Sequence, residues 1–302
     1  MSQETSIISN SSDISLLRIF QADQLIDDWQ QHFRINIAQE LQGHPKIYLY
    51  RCNQTQLKFF APADIAGSGK LYEQLQKFDW YYMPHKWEHR IAQRDLKKCQ
   101  KILEIGSAYG DFVKTCIEAG LDIKGIELNE AAVDVAQKRQ LPVERLDLQE
   151  AAEIYHESLD GVCSFQVLEH VPNPKEFIEW SIEMLKPGGK LVYCVPNAES
   201  FLQHQYNLLD MPPHHMTLWT KSSFKALEKL FPIKLAKVIY EPLAAYHTAA
   251  YVNAYSDRFR SRFPGSRLIF NRLSNSIYEK CLSLGLRNFI LGQSLYVQFY
   301  KI

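Results

Sequence analysis

Lys101-Ile-Leu-Glu-Ile-Gly-Ser-Ala-Tyr-Gly110 decides the fold of this chain. A short apolar run ends in a turn with glycines at 106 and 110, and residues 111–119 carry a helical pattern stopped by Gly120. That order predicts a strand, a tight turn and a helix. Glycine is needed where the backbone turns sharply and lets a ligand approach closely. The helix that follows offers its free N–H groups to a negative group.

The same alternation continues downstream. Residues 122–127 read as a second strand, 130–139 as a helix, 142–146 as a third strand and 159–166 as a fourth. The next helix has a clear start: Asn173 as cap, Pro174 at the first position and Glu176 as capping-box partner. Its stripe holds Phe177, Ile178, Ile182 and Leu185, and Lys186-Pro-Gly-Gly189 ends it before a fifth strand at 190–195. Strands and helices in this order predict a parallel sheet covered on both faces. Beyond it, 222–231 reads as a helix, 233–240 as a strand, and 292–300 as a strand with Leu295, Val297 and Phe299 on one face. Upstream, 46–100 reads as a hairpin (47–52 and 56–60) followed by an aromatic-rich helical cap, interrupted near Pro84. Residues 1–45 read as an extension of one or two helices. The expected units are thus 1–45, 46–100 and 101–302, the last with a helical insertion at about 241–290.

Three strand ends carry acids. Glu104 precedes the glycine turn, Glu127 ends the second strand roughly 20 residues on, and Asp147 follows the third. A carboxylate at the second position accepts both ribose hydroxyls, and one at the third accepts from an adenine amino group, so the set outlines a nucleoside pocket. The spacing G-x-G-x-x-G that cradles a pyrophosphate is missing, which argues against a dinucleotide.

Together these segments resemble the class I S-adenosylmethionine-dependent methyltransferases, and within them the small-molecule, ubiquinone and sugar types. Glu104 to Gly110 is similar to their first motif, Glu127 to their ribose acid and Asp147 to their adenine acid. Gln166-Val-Leu-Glu-His-Val-Pro172 is similar to the segment after the fourth strand, and Leu185-Lys-Pro-Gly-Gly-Lys-Leu-Val192 to the fifth-strand entry. One departure is Ala108, where the family carries a glycine. The resemblance implies a Rossmann-like, seven-stranded, mostly parallel sheet whose antiparallel last strand lies beside the sixth. It implies S-adenosyl-L-methionine as cofactor, held by Glu104, Gly106, Ser107, Ala108, Gly110, Glu127, Leu128, Asp147, Leu148 and Gln166.

On the acceptor side, Tyr81, Tyr82 and His170 are candidates to line the substrate cavity. His214 and His215 follow the fifth strand, and an imidazole titrates near neutrality, so one of them is the expected general base. In the ubiquinone type a Leu-Glu-His-Val stretch has been linked to a divalent metal. Here Gln166 stands in place of one carboxylate, so no metal is expected. Cys52 lacks the partners of a zinc ribbon.

Composition narrows the function further. The chain has 302 residues, with 34 Lys plus Arg against 34 Asp plus Glu, which lacks the footprint of a dedicated nucleic-acid binder. Its polar start does not read as a secretory leader, and six scattered cysteines fit a reducing cytoplasm. Residues 258–287 hold seven Lys or Arg and one acid interleaved with aromatics, a pattern suited to peripheral contact with an anionic membrane, an anionic substrate, or solvent. The expected activity is methyl transfer to a small molecule of sugar, lipid-linked or natural-product type. The alternatives are a non-catalytic S-adenosylmethionine-binding partner protein and an RNA methyltransferase.

Overall fold

The computed structural model describes residues 4–78, 80–83, 86–263, 265–266 and 269–302. Pro84 and Arg267, both part of the expectations above, lie outside the described residues. In chain order the elements are β1 (Ile14–Gln21), α1 (Ala22–Phe33), β2 (Lys46–Cys52), β3 (Lys58–Ala61), α2 (Gly69–Leu75), α3 (Trp87–Leu96) and β4 (Ile102–Ile105). Then come α4 (Asp111–Glu118), β5 (Ile123–Glu127), α5 (Glu130–Lys138), β6 (Val143–Arg145), α6 (Leu148–Ile154), β7 (Leu159–Phe165), α7 (Pro174–Glu183) and β8 (Leu185–Pro196). The chain continues through β9 (Thr217–Leu218), α8 (Lys221–Ala226), β10 (Ile233–Pro242), α9 (Thr248–Arg262), α10 (Arg272–Ser283) and β11 (Leu291–Lys301).

Seven strands form the main sheet in the order β10-β11-β8-β7-β4-β5-β6. β4, β5, β6, β7 and β8 pair in parallel, and β11 runs antiparallel to both β8 and β10. This is the sheet that the sequence predicts. All four residues of β4 are buried, as expected of a strand covered on both faces. Successive side chains of β8 go to opposite layers: Leu191, Tyr193 and Val195 pack with Phe177, Ile178 and Phe299, while Val192 and Cys194 pack with Phe112, Val133 and Tyr296. Asn173 caps α7 by accepting the Glu176 N–H at 3.4 Å.

The N-terminal region departs from its expectation. α1 is the predicted helix, with Leu25 and Trp29 buried, but β1 precedes it and pairs antiparallel with β2. Leu16, Leu17 and Ile19 are exposed, so β1 is an edge strand held by backbone pairing and shows no inward alternation to read. The 1–45 and 46–100 segments therefore share one sheet, β1-β2-β3-β9. Lys186-Pro-Gly-Gly189 is a second departure. It lies inside β8, next to a register shift against β7, rather than between helix and strand.

β9 is what carries the cap onto the main sheet. Its two residues pair with Phe59 and Lys58, and the Phe60 N–H donates to the Met216 carbonyl at 2.9 Å. Trp29, Phe60, Met211 and Met216 share the cap core. The loop between β8 and β9 is thereby clamped over the carboxyl edge of the main sheet.

Candidate functional site

The turn after β4 is built as its glycines require. Gly106 has φ +73°, and a Cβ there would stand 2.5 Å from Val167 Cγ2. Gly110 has φ +75°, with Leu141 Cδ1 at 2.9 Å from the same position. Ala108 also adopts a left-handed backbone, φ 46°, where a glycine would be less strained. Ser107 is buried, and its hydroxyl donates to the Ile126 carbonyl at 3.4 Å.

Glu127 ties this turn to the end of β5. Its Oε2 accepts the Ala108 N–H at 2.9 Å, and its Oε1 accepts the N–H groups of Leu128 and Asn129 at 2.8 and 2.9 Å. Leu128 beside it is exposed. Asp147 caps α6, accepting the Glu150 N–H at 2.8 Å, and Leu148 opens that helix. Asp147 is exposed, and among the described residues no hydrogen bond joins it to the glycine turn.

Glu104 is buried beneath the turn, and its Oε2 has no hydrogen-bond partner among the described residues. Burial pushes its carboxyl well above the ordinary carboxylate range, opposed by the nearby Lys86 ammonium. An unpartnered buried carboxylate oxygen beneath a glycine turn fits a cationic ligand group, such as the ammonium or sulfonium of S-adenosylmethionine. A folded-state value raised above the unfolded one favours folding at low pH, and that advantage is lost as pH rises through the raised value. Glu104→Gln is therefore expected to melt no lower than the wild type at neutral pH. It should nonetheless bind a cationic nucleoside at least about tenfold more weakly, because a charge-assisted bond contributes roughly 1.5–3 kcal/mol. Thermal melting and calorimetry on the same variant check both signs.

A second cluster lies where the β8–β9 loop meets the segment after β7. Met216 and Thr217 donate their N–H groups to the Glu169 carbonyl at 2.7 and 3.1 Å. His170 donates from Nδ1 to the His214 carbonyl at 2.6 Å, and the His170 ring lies 4.5 Å from His214 and 4.9 Å from His215. His214 donates from Nδ1 to the Leu209 carbonyl at 2.8 Å, and its Nε2 accepts the Tyr81 O–H at 3.0 Å. His215 is buried; its Nδ1 has no hydrogen-bond partner among the described residues and lies 3.4 Å from Asp210 Oδ1. Burial and the neighbouring His215 hold His170 down to about 3 and His214 well below the ordinary imidazole value. Glu169 is buried, neither of its carboxylate oxygens has a hydrogen-bond partner among the described residues, and burial pushes it up to about 7.

One ring nitrogen from each histidine falls within 4.8 Å of the others, the spacing of a possible metal cluster. His214 has both ring nitrogens engaged, however, so a metal would have to displace the Tyr81 hydroxyl. Tyr82 packs on Tyr81 and meets Tyr109 of the glycine turn at 5.0 Å between ring centroids. The two tyrosines thus link the histidine cluster to the turn. Gln166 takes another partner: its Nε2 donates to Glu88 Oε1 at 3.3 Å.

Glu88, Lys86 and Asp210 escape the sequence reading. Glu88 left a signal, since it falls on the buried stripe of α3 with Ile91, Ala92 and Leu96, where an acid is out of place. Asp210 left none, because only the folded loop brings it to His215.

Residues 79–230 match the family described as methyltransferase domain. A ubiquinone biosynthesis O-methyltransferase of Idiomarina loihiensis is 30% identical over 104 residues, covering 32% of this chain and 43% of that protein. The corresponding protein of Photobacterium profundum is 32% identical over 111 residues, covering 34% and 47%. The chain spans less than half the length of these curated relatives. The solved structure of the PH0226 protein from Pyrococcus horikoshii is 14% identical with a TM-score of 0.48, covering 78% of this chain and all of that one.

Proposed function

The chain belongs to the class I S-adenosylmethionine-dependent methyltransferases, and from that membership we propose that it transfers a methyl group to a small-molecule acceptor. The observation that carries this reading is Glu127, which ends β5 and spans from its own loop to Ala108 of the glycine turn. A carboxylate in that position is suited to both hydroxyls of a ribose. Gly106, Ser107, Ala108 and Gly110 supply a close backbone wall, Glu104 a buried anion, and Leu128, Asp147, Leu148 and Gln166 the rim of the nucleoside pocket.

S-adenosylmethionine supplies a methyl group on a cationic sulfur, which leaves as a neutral thioether when an acceptor lone pair takes the carbon. The protein's contribution is to hold the acceptor in line with that methyl and to keep water out. Tyr81 and Tyr82 form the wall between the turn and the histidines. An aromatic face near a sulfonium is worth about 0.5–2 kcal/mol. For a hydroxyl or acidic-carbon acceptor, His215 takes the proton on Nε2, while Asp210, 3.4 Å from Nδ1 on the other side of the ring, stabilises the imidazolium. His214, with both nitrogens engaged, positions Tyr81, and His170 packs against both histidines. The ubiquinone-type relatives favour an amphipathic or lipid-linked acceptor, and the need for S-adenosylmethionine fits a cytoplasmic setting.

Thermal melting tests the cofactor. S-adenosylmethionine or S-adenosylhomocysteine at about 100 times its dissociation constant is expected to add about 2.7 kcal/mol of stability, and NAD none. No shift with either sulfur ligand at millimolar concentration would sink the reading.

A further inference from the structure

We propose that α10 and the turn that follows it dock this protein on an anionic lipid bilayer. The helix is amphipathic in the reverse sense for a soluble insertion. Leu273, Ile277 and Leu284 recur at helical spacing and form one row, exposed to 74%, 54% and 80%. The opposite side holds Asn275 and Leu282, which are buried, with Asn275 Oδ1 accepting the Ser256 hydroxyl of α9 at 2.9 Å. The inward side is thus occupied and anchored, and the row faces outward. Beyond the helix, Phe289 is 88% exposed and extends the apolar surface. A single exposed leucine is ordinary, but a row of them opposite an anchored face marks a surface that meets something.

Charge selects the partner. Residues 258–287 concentrate seven basic residues and one acid in a chain whose overall balance is zero. Lys280 falls on the apolar row itself, and Arg272 flanks it; neither has an ion-pair partner among the described residues. A second copy packed on this row would bury the Lys280 ammonium against a row that carries no acid, which is costly. A bilayer accepts the same arrangement: the leucines enter the acyl boundary while Lys280 and Arg272 reach out to anionic headgroups. No helix among the described residues is long and apolar enough to cross a membrane, so the contact is one of lying on the surface.

Placement gives the docking a purpose. α9 packs on the 3-10 turn at Phe201–His204, and Leu202, Gln203 and His204 of that turn line a cavity of about 390 Å³ between the cap sheet and the end of β8. Docking would hold that cavity close to a lipid surface.

The experiment is co-sedimentation of the full chain with vesicles, without cofactor or acceptor, so that failure leaves the methyl-transfer reading standing. Vesicles of phosphatidylcholine alone are compared with vesicles containing phosphatidylglycerol. Binding is expected only with phosphatidylglycerol, weakened by salt, with each basic side chain near the surface contributing about fivefold. The double variant Leu273→Gln/Leu284→Gln should reduce partition at least about tenfold while melting as the wild type does, because both side chains are exposed in the free protein. Three results would each overturn the proposal: no sedimentation with anionic vesicles, equal sedimentation of the double variant, or light scattering that reveals a vesicle-independent dimer dissolved by the same substitutions.

Discussion

Glu127→Ala is expected to abolish the thermal shift produced by S-adenosylmethionine. The carboxylate offers two acceptors to a ribose, each charge-assisted bond contributing roughly 1.5–3 kcal/mol. Losing both costs about 3 kcal/mol or more, roughly 150-fold in affinity. The substitution also strips acceptors from the N–H groups of Ala108, Leu128 and Asn129, so the glycine turn loses its tie to β5 as well as its ligand contact. Glu127→Asp separates the two effects, because a shorter carboxylate retains its charge but cannot span from its own loop to Ala108. Calorimetry reads the affinities directly. Wild-type affinity in the alanine variant would remove Glu127 from the pocket and with it the central argument for a nucleoside.

His215→Gln is expected to lower kcat for a hydroxyl acceptor by about 100- to 10,000-fold, the usual contribution of a positioned general base. Affinity for S-adenosylmethionine should be unchanged, since the loop that carries His215 is separate from the glycine turn. The pH profile distinguishes a lost base from a distorted pocket. Without a base, the rate should climb about tenfold per pH unit as the acceptor ionises in solution, whereas the wild type should level off. Asp210→Asn should show a milder form of the same profile, because it removes the charge beside His215 but not the ring. An unchanged kcat for His215→Gln, with the protein folded, would take this histidine out of the chemistry.

The central sheet was legible because its signals are local. β4 to β8 are apolar runs bounded by glycine, proline and capping residues, and each of those marks acts within a few residues. β1 was not legible, because Leu16, Leu17 and Ile19 lie exposed on an edge strand where the pattern of side chains says nothing about pairing. β9 is two residues long, too short for any period, and exists only because β3 is there to pair with it. The acids at the strand ends were visible as a set, since strand ends recur at regular spacing along the chain. The histidine cluster was visible only as pieces. His170 and His214 are remote in sequence, and it takes the cap sheet, clamping the loop through β9, to stack their rings. The basic segment was read by its charge, which is evident in composition. That the outward side of α10 is apolar depends on which side Asn275 and Leu282 bury, and only the packed structure decides it.

β11 separates the order of the sheet from the order of synthesis. β8 and β10 flank it and never pair with each other, so neither gains its neighbour until residues 291–301 have been made. A ribosome working from the amino end therefore leaves the edge of β8 open while about a hundred further residues emerge, and β10 waits without a partner for the whole of α9 and α10. An open strand edge is a template for pairing with other chains. The nascent protein is accordingly most prone to aggregation late in its production, and a stall just before Leu291 would be more harmful than one placed much earlier.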